Sequence, residues 1–173
     1  MTGPRRTLAF TVVEILVALS ISAVLLTAIA VAMHAALYSY EQNEESAAAT
    51  HTARTILDRM SRDIRTAQAV DYSAGVITII PPDDGSGISE VEYEQVGSEL
   101  IYRVTKDGTQ SSHELISSAD EFSVGSFTIS EQTGQDWQGY DCIKSLSLEL
   151  EVDIGGKSFT FAATASPRRN RVF

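Results

Sequence analysis

Apolar residues run almost unbroken from Phe10 to Leu37, FTVVEILVALSISAVLLTAIAVAMHAAL, with Glu14 and His34 the only ionisable side chains among them. As a helix, Ile15 to Leu37 reaches about 35 Å, enough to cross a hydrocarbon core of about 30 Å. The pattern then changes period. Ile56, Met60, Ile64 and Ala67 recur at i, i+4, i+8 and i+11 with Leu57 beside them, which predicts a helix with one apolar face. Arg54/Asp58, Asp58/Arg62 and Arg59/Asp63 stand four apart with opposite signs and are expected to pair along it. No Gly or Pro occurs between Arg5 and Ala74. The pattern therefore predicts one continuous helix or two joined ones: a span over 10–37, then an amphipathic stalk over 38–71.

From Tyr72 to Ser166 the period becomes two. Gly75 ends the helical pattern, VITII (76–80) reads as a strand, and Pro81-Pro82 stops it. Residues 90–96 alternate Glu90, Glu92 and Glu94 against Val91 and Tyr93, and Gly97-Ser98 turns them into ELIYRVT. Asp107-Gly108 leads into Ser111–Ile116, and 121–130 is a further strand candidate. The strongest alternation is SLSLELEVDI, with Leu146, Leu148, Leu150, Val152 and Ile154 on one face and Ser147, Glu149, Glu151 and Asp153 on the other. Gly155-Gly156 then turns into KSFTFAATA, where Phe159, Phe161 and Ala163 continue the alternation. About seven strands with one apolar face after a long helix predict an α+β fold: an antiparallel sheet over 72–166 packed on the second half of the helix, with a basic tail at 167–173.

At 173 residues the chain accommodates one domain and an appendage. Its charge is −10, and residues 72–166 hold 16 acids against Arg103, Lys106, Lys144 and Lys157. That balance keeps the domain soluble and argues against nucleic acid as a partner, which needs clustered Lys and Arg. The cations concentrate elsewhere: Arg54, Arg59, Arg62 and Arg65 on the stalk, and the closing PRRNRVF. The stalk arginines are either a solvated, salt-bridged face or a contact for acidic surfaces of a partner. The tail either folds back on the acidic domain or meets a partner.

The flanks orient the span. Arg5 and Arg6 precede it while Glu41, Glu44 and Glu45 follow, which places the N-terminus in the cytoplasm and residues beyond 40 outside. The run is longer than the roughly 7–15 apolar residues of a cleaved secretory signal. A plain membrane anchor accounts for the length but not for Glu14, since a charge at mid-bilayer costs about 2.5–3.5 kcal/mol. A residue placed at that cost is a functional-site candidate, and the question is its partner.

Other chemistry is sparse. One cysteine, Cys142, excludes an internal disulfide and a Cys-based zinc site, and reads as a buried inert thiol. His34, His51 and His113 are scattered, and no HExxH, nucleophile elbow or phosphate loop appears. No enzyme is expected. Asp83-Asp84-Gly85-Ser86-Gly87, with Ser89 and Glu90, offers hard oxygen ligands on a Gly-rich loop without the EF-hand spacing, so calcium is an alternative use of those acids. Trp137 and Tyr140 read as core anchors.

A basic leader, a small residue, then Phe-Thr-x-x-Glu and a long apolar helix resembles the class III signal of type IV pilins and type II secretion pseudopilins. The resemblance covers about the first 30 residues. It implies that a prepilin peptidase removes residues 1–9 by cutting between Ala9 and Phe10 and methylates Phe10. Ala9 stands where the family usually has Gly. The resemblance places Glu14 at the family's assembly carboxylate, able to neutralise the new amine of Phe10 on its own chain or on a neighbour. It implies an inner-membrane, single-pass subunit with other pseudopilins or pilins as partners; no cofactor is expected, with calcium the alternative. Major pilins usually carry a helix-breaking Pro and Gly where this chain has Val31 and Ala23, which favours a minor subunit. ILDRMSRDIRTA resembles the J-type minor pseudopilins and the W-type minor pilins. Retention of Glu14 fits a subunit docked beneath another one, since the family's tip subunit lacks the acid. The implied function is a minor pseudopilin near the tip of a type II secretion pseudopilus. The alternatives are a minor pilin of a type IV pilus or DNA-uptake filament and, from another class, an anchored extracytoplasmic binding or sensor domain.

Overall fold

The computed structural model of the chain describes residues 11–117, 122–135, 139 and 141–168. The chain divides into two compact units, 1–44 and 45–173. In the first, the described residues from Val12 onward belong to helix α1, Val12–Thr66, which runs on into the second unit. The fold is α+β, with one long helix followed by antiparallel sheets.

The second unit joins the last turns of α1 to eight strands. β1 (Ala69–Ser73), β2 (Val76–Ile80), β3 (Ile88–Val96), β4 (Glu99–Lys106) and β5 (Thr109–Ile116) form a five-stranded meander in that order. β6 (Phe122–Gln135), β7 (Asp141–Ile154) and β8 (Lys157–Ala165) form a second, three-stranded sheet. Every pairing is antiparallel. The strands at 76–80, 90–96, 99–105, 111–116, 145–154 and 157–165 lie where the alternation puts them.

Two differences stand out. The helix stops at Thr66 rather than near residue 71, and 69–73 is an extra strand. Gln68 donates its N–H to the Ile80 carbonyl at 2.8 Å, and β1 then pairs through Ala69↔Ile80 to Ser73↔Val76. Cross-strand pairing with the β-branched VITII segment overrides the helix propensity of Ala and Gln. Gly75 is consequently the second residue of a tight β1–β2 turn and not the helix breaker. The single sheet expected is also split in two. β5 is polar at every position from Thr109 to Glu114 and exposed along that stretch, so it offers no apolar face on which a sixth strand could continue. β6 instead meets the β3–β4 hairpin: Val124 donates to the Ser98 carbonyl and Phe127 N–H to Gln95 Oε1, both at 2.8 Å.

The core follows the predicted faces. Ile56, Leu57, Met60, Ile64 and Ala67 are buried, and so are Leu146, Leu148, Leu150, Val152 and Ile154 of β7. They join one apolar cluster with Tyr93, Ile77, Ile79 and Leu100 of the larger sheet. Ala49 and Ala53 are fully buried on the same helix face, small enough to let it lie close to its neighbours.

The polar side of α1 does not pair as its spacing predicts. Among the described residues the ion pairs are Arg103 with Glu92 and Glu94, and Lys157 with Glu45. Asp63 accepts a hydrogen bond from Tyr93 Oη at 2.6 Å, and the Arg59 guanidinium lies 3.9 Å from the Tyr102 ring centroid. The sheet's tyrosines thus take both members of the predicted Arg59/Asp63 pair. Burial first, and then the bond to Asp63, hold the Tyr93 phenol far above its ordinary pKa. The unfolded chain loses that proton above about pH 10 while the folded chain keeps it, so stability falls as pH rises past about 10, by up to about 1.4 kcal/mol per pH unit. Denaturation between pH 9 and 11 should show this slope, and Tyr93→Phe should flatten it.

The β7–β8 turn touches the helix. Gly155 has φ +57°, and a Cβ there would lie 2.6 Å from a Glu45 carboxylate oxygen, while Lys157 Nζ sits 3.1 Å from Glu45 Oε2. Gly155→Ala is expected to cost about 1–2 kcal/mol, because the left-handed backbone is penalised and Glu45 must move off Lys157. Gly156 has φ +75° and no atom within 4 Å of its would-be Cβ. Gly156→Ala should therefore show the backbone part alone, and thermal melts of the two variants separate the contributions.

Candidate processing and assembly site

Helix α1 begins at a cap. Thr11 accepts the Glu14 N–H on both its carbonyl (3.1 Å) and its Oγ1 (3.3 Å), and its carbonyl also takes Ile15 N–H at 3.2 Å. Thr-x-x-Glu is the capping-box pattern, and an acid in the first turn also complements the helix dipole. This role for Thr11 was visible in the sequence as T-V-V-E and is an addition to the expected site. Glu14, Ala18 and Ser22 follow at intervals of four and, with Ile15 and Leu19, line a shallow groove of about 460 Å³ on the helix surface. The carboxylate therefore stands at the end of a strip of small side chains, where another helix can lie close. Ala9 and Phe10, the expected processing pair, lie outside the described residues.

The surface above this groove has the chemistry of a lipid-facing segment. Large apolar side chains between Val12 and Leu37 are 52–74% exposed. This part of α1 is long and apolar enough to cross a membrane. Ser22 and Thr27 return their hydroxyls to the carbonyls four residues back at 2.8 Å, and Ser20 does the same with Leu16, so these groups need no water. Tyr38 and Tyr40 close the apolar run as exposed aromatics with polar tips, the type found at membrane–water interfaces.

Residues 4–30 match the family described as the prokaryotic N-terminal methylation motif. The chain carries the prepilin processing signature. No curated protein matches it, and no solved structure does. A pilin-like motif of this kind indicates a structural subunit, and it implies processing by a prepilin peptidase and assembly with other pilins. The motif and the apolar helix together fit a pilin-like protein anchored by a single membrane pass.

The other candidate residues are dispersed. Asp83 Oδ1 accepts from Gly85 N–H at 3.3 Å and Asp84 Oδ1 from Ser86 N–H at 2.9 Å. Hydrogen bonds from Ser86 hold the Asp84 carboxyl below its usual range. Among the described residues no three His, Cys, Asp or Glu side chains gather to hold a metal ion. His34 and His51 are exposed on α1, and His113 is exposed on β5 with its ring 6.2 Å from that of Tyr102. Cys142 is half-buried rather than fully buried. Trp137, Tyr140 and residues 169–173 of the tail lie outside the described residues.

The stalk arginines separate into different settings. Arg59 stacks on Tyr102, while Arg62 and Arg65 turn to an open groove of about 580 Å³ between α1 and β8. Arg168, just past β8, also lines it, and its N–H donates to the Arg65 carbonyl at 3.4 Å.

Proposed function

We propose that the chain is a minor pseudopilin, a structural subunit built into the tip region of a type II secretion pseudopilus. Residues 1–9 are removed by a prepilin peptidase, Phe10 becomes a methylated N-terminus, and the N-terminal end faces the cytoplasm with residues beyond 40 outside. The observation that carries the reading is the methylation motif on a helix that begins at a Thr11–Glu14 cap and bears a bare apolar surface.

The chemistry runs through Glu14. Cutting before Phe10 creates an ammonium next to lipid, and a lone charge there is costly while a hydrogen-bonded pair recovers much of that cost. Glu14 is the carboxylate within reach, either in its own chain or across the strip formed with Ala18 and Ser22 in a neighbour. Pairing with a neighbour's amine draws a subunit from the bilayer into a filament.

Coexpression with a prepilin peptidase followed by mass spectrometry of the N-terminal peptide tests this. The expected peptide starts at Phe10 and carries one methyl group. A chain that keeps Met1 in the presence of active peptidase overturns the reading in favour of a plain membrane-anchored domain.

A further inference from the structure

We infer that the groove between α1 and β8 is a docking site for the acidic face of a neighbouring filament subunit, with Arg62, Arg65 and Arg168 receiving its carboxylates. The inference rests on the filament reading above and adds a second contact, made by the folded domain instead of the apolar helix.

Three exposed arginines line one open cleft in a chain whose net charge is −10. Elsewhere in the described structure, Arg103 and Lys157 are satisfied by Glu92, Glu94 and Glu45. Among the described residues no carboxylate forms an ion pair with Arg62, Arg65 or Arg168, and Asp58 on the groove wall offsets only one of the three charges. A cation in the last turn of a helix is favoured by the dipole, which accounts for Arg65 but not for Arg168, brought in from beyond β8. Ser61 and Thr164 line the same cleft, Ser61 buried and the Thr164 hydroxyl 3.4 Å from Ser147 Oγ, so the arginines are its charged donors. Planar guanidinium forks suit carboxylates, which they bind in pairs of parallel hydrogen bonds.

The occupant follows from the charge balance. A free anion or a nucleic acid would have to approach an acidic domain unaided. A neighbouring subunit is already held alongside by its packed helix, so its effective concentration is high and three exposed arginines suffice. The sequence pattern spread the basic face over four stalk arginines. The structure withdraws Arg59 to Tyr102 and recruits Arg168 in its place.

The test uses the full chain in a host that assembles the filament, with a photoreactive phenylalanine analogue in place of Thr164, an exposed position on the groove wall. Irradiation is expected to join this position to an Asp- or Glu-rich peptide of another subunit. R62E/R65E should lower that product by about tenfold or more, while R62K/R65K should retain most of it. Crosslinks to lipid, to nucleic acid or to peptides without acids overturn the inference, as does a yield unchanged by R62E/R65E. The N-terminal peptide is read in the same samples. A Phe10 start without the acidic crosslink sinks only this inference, whereas a retained leader sinks the filament reading itself.

Discussion

Glu14→Val is expected to give a chain that enters the membrane and is trimmed before Phe10 yet fails to join filaments. Insertion should be unharmed, because the substitution removes a charge whose burial costs about 2.5–3.5 kcal/mol at mid-bilayer. Assembly should fall sharply, because the new ammonium then has no carboxylate to meet. Glu14 also occupies the third helical position of a Thr-capped start, so a loss could reflect the cap alone. Glu14→Gln separates the two, since Gln preserves the capping pattern but not the charge. Filament-fraction immunoblots alongside membrane-fraction blots read the outcome. If Glu14→Gln assembles normally, the charge is irrelevant and the role assigned to Glu14 is wrong.

Tyr93→Ala should be among the most damaging single changes in the folded unit. The ring is fully buried, lies 5.2 Å from the Tyr102 ring, and its hydroxyl donates to Asp63 on α1. Truncation opens a cavity between helix and sheet and should cost about 3–5 kcal/mol. Tyr93→Phe keeps the packing and loses only the bond to Asp63, for about 1 kcal/mol, since Asp63 is half-exposed and water can replace the donor. Denaturant melts of the full chain in detergent would rank them. If Tyr93→Phe proves as harmful as Tyr93→Ala, the hydrogen bond and not the packing joins helix to sheet.

The parts of this fold that were legible are those where one physical effect dominates. An uninterrupted apolar run can only be a span or a core helix, and the strict alternation from Leu146 to Ile154 can only be a strand with one wet face. β1 was hidden because AVDYS contains no breaker and its two buried residues, Ala69 and Val70, are adjacent rather than alternate. Its strand character comes from VITII across the turn, not from itself. The split into two sheets was hidden for a similar reason, since edges are decided by partners. The Arg59/Asp63 pair was a sound local expectation defeated by distant competitors, because Tyr93 and Tyr102 meet these side chains only once the sheet has closed on the helix. At the site, Glu14 was legible because a charge in a greasy segment is conspicuous. Arg168 was not, because its place beside Arg65 depends on where β8 ends.

The hydroxyls of Ser20, Ser22 and Thr27 fold back onto their own helix and ask nothing of their surroundings. On the proposed filament reading, leaving the bilayer for a fibre would exchange one oily neighbour for another, with no side-chain hydrogen bond of these three residues to break or remake. On that same reading, traffic in both directions would stay cheap over most of the rod, and Glu14 near its start would be the group that biases the direction.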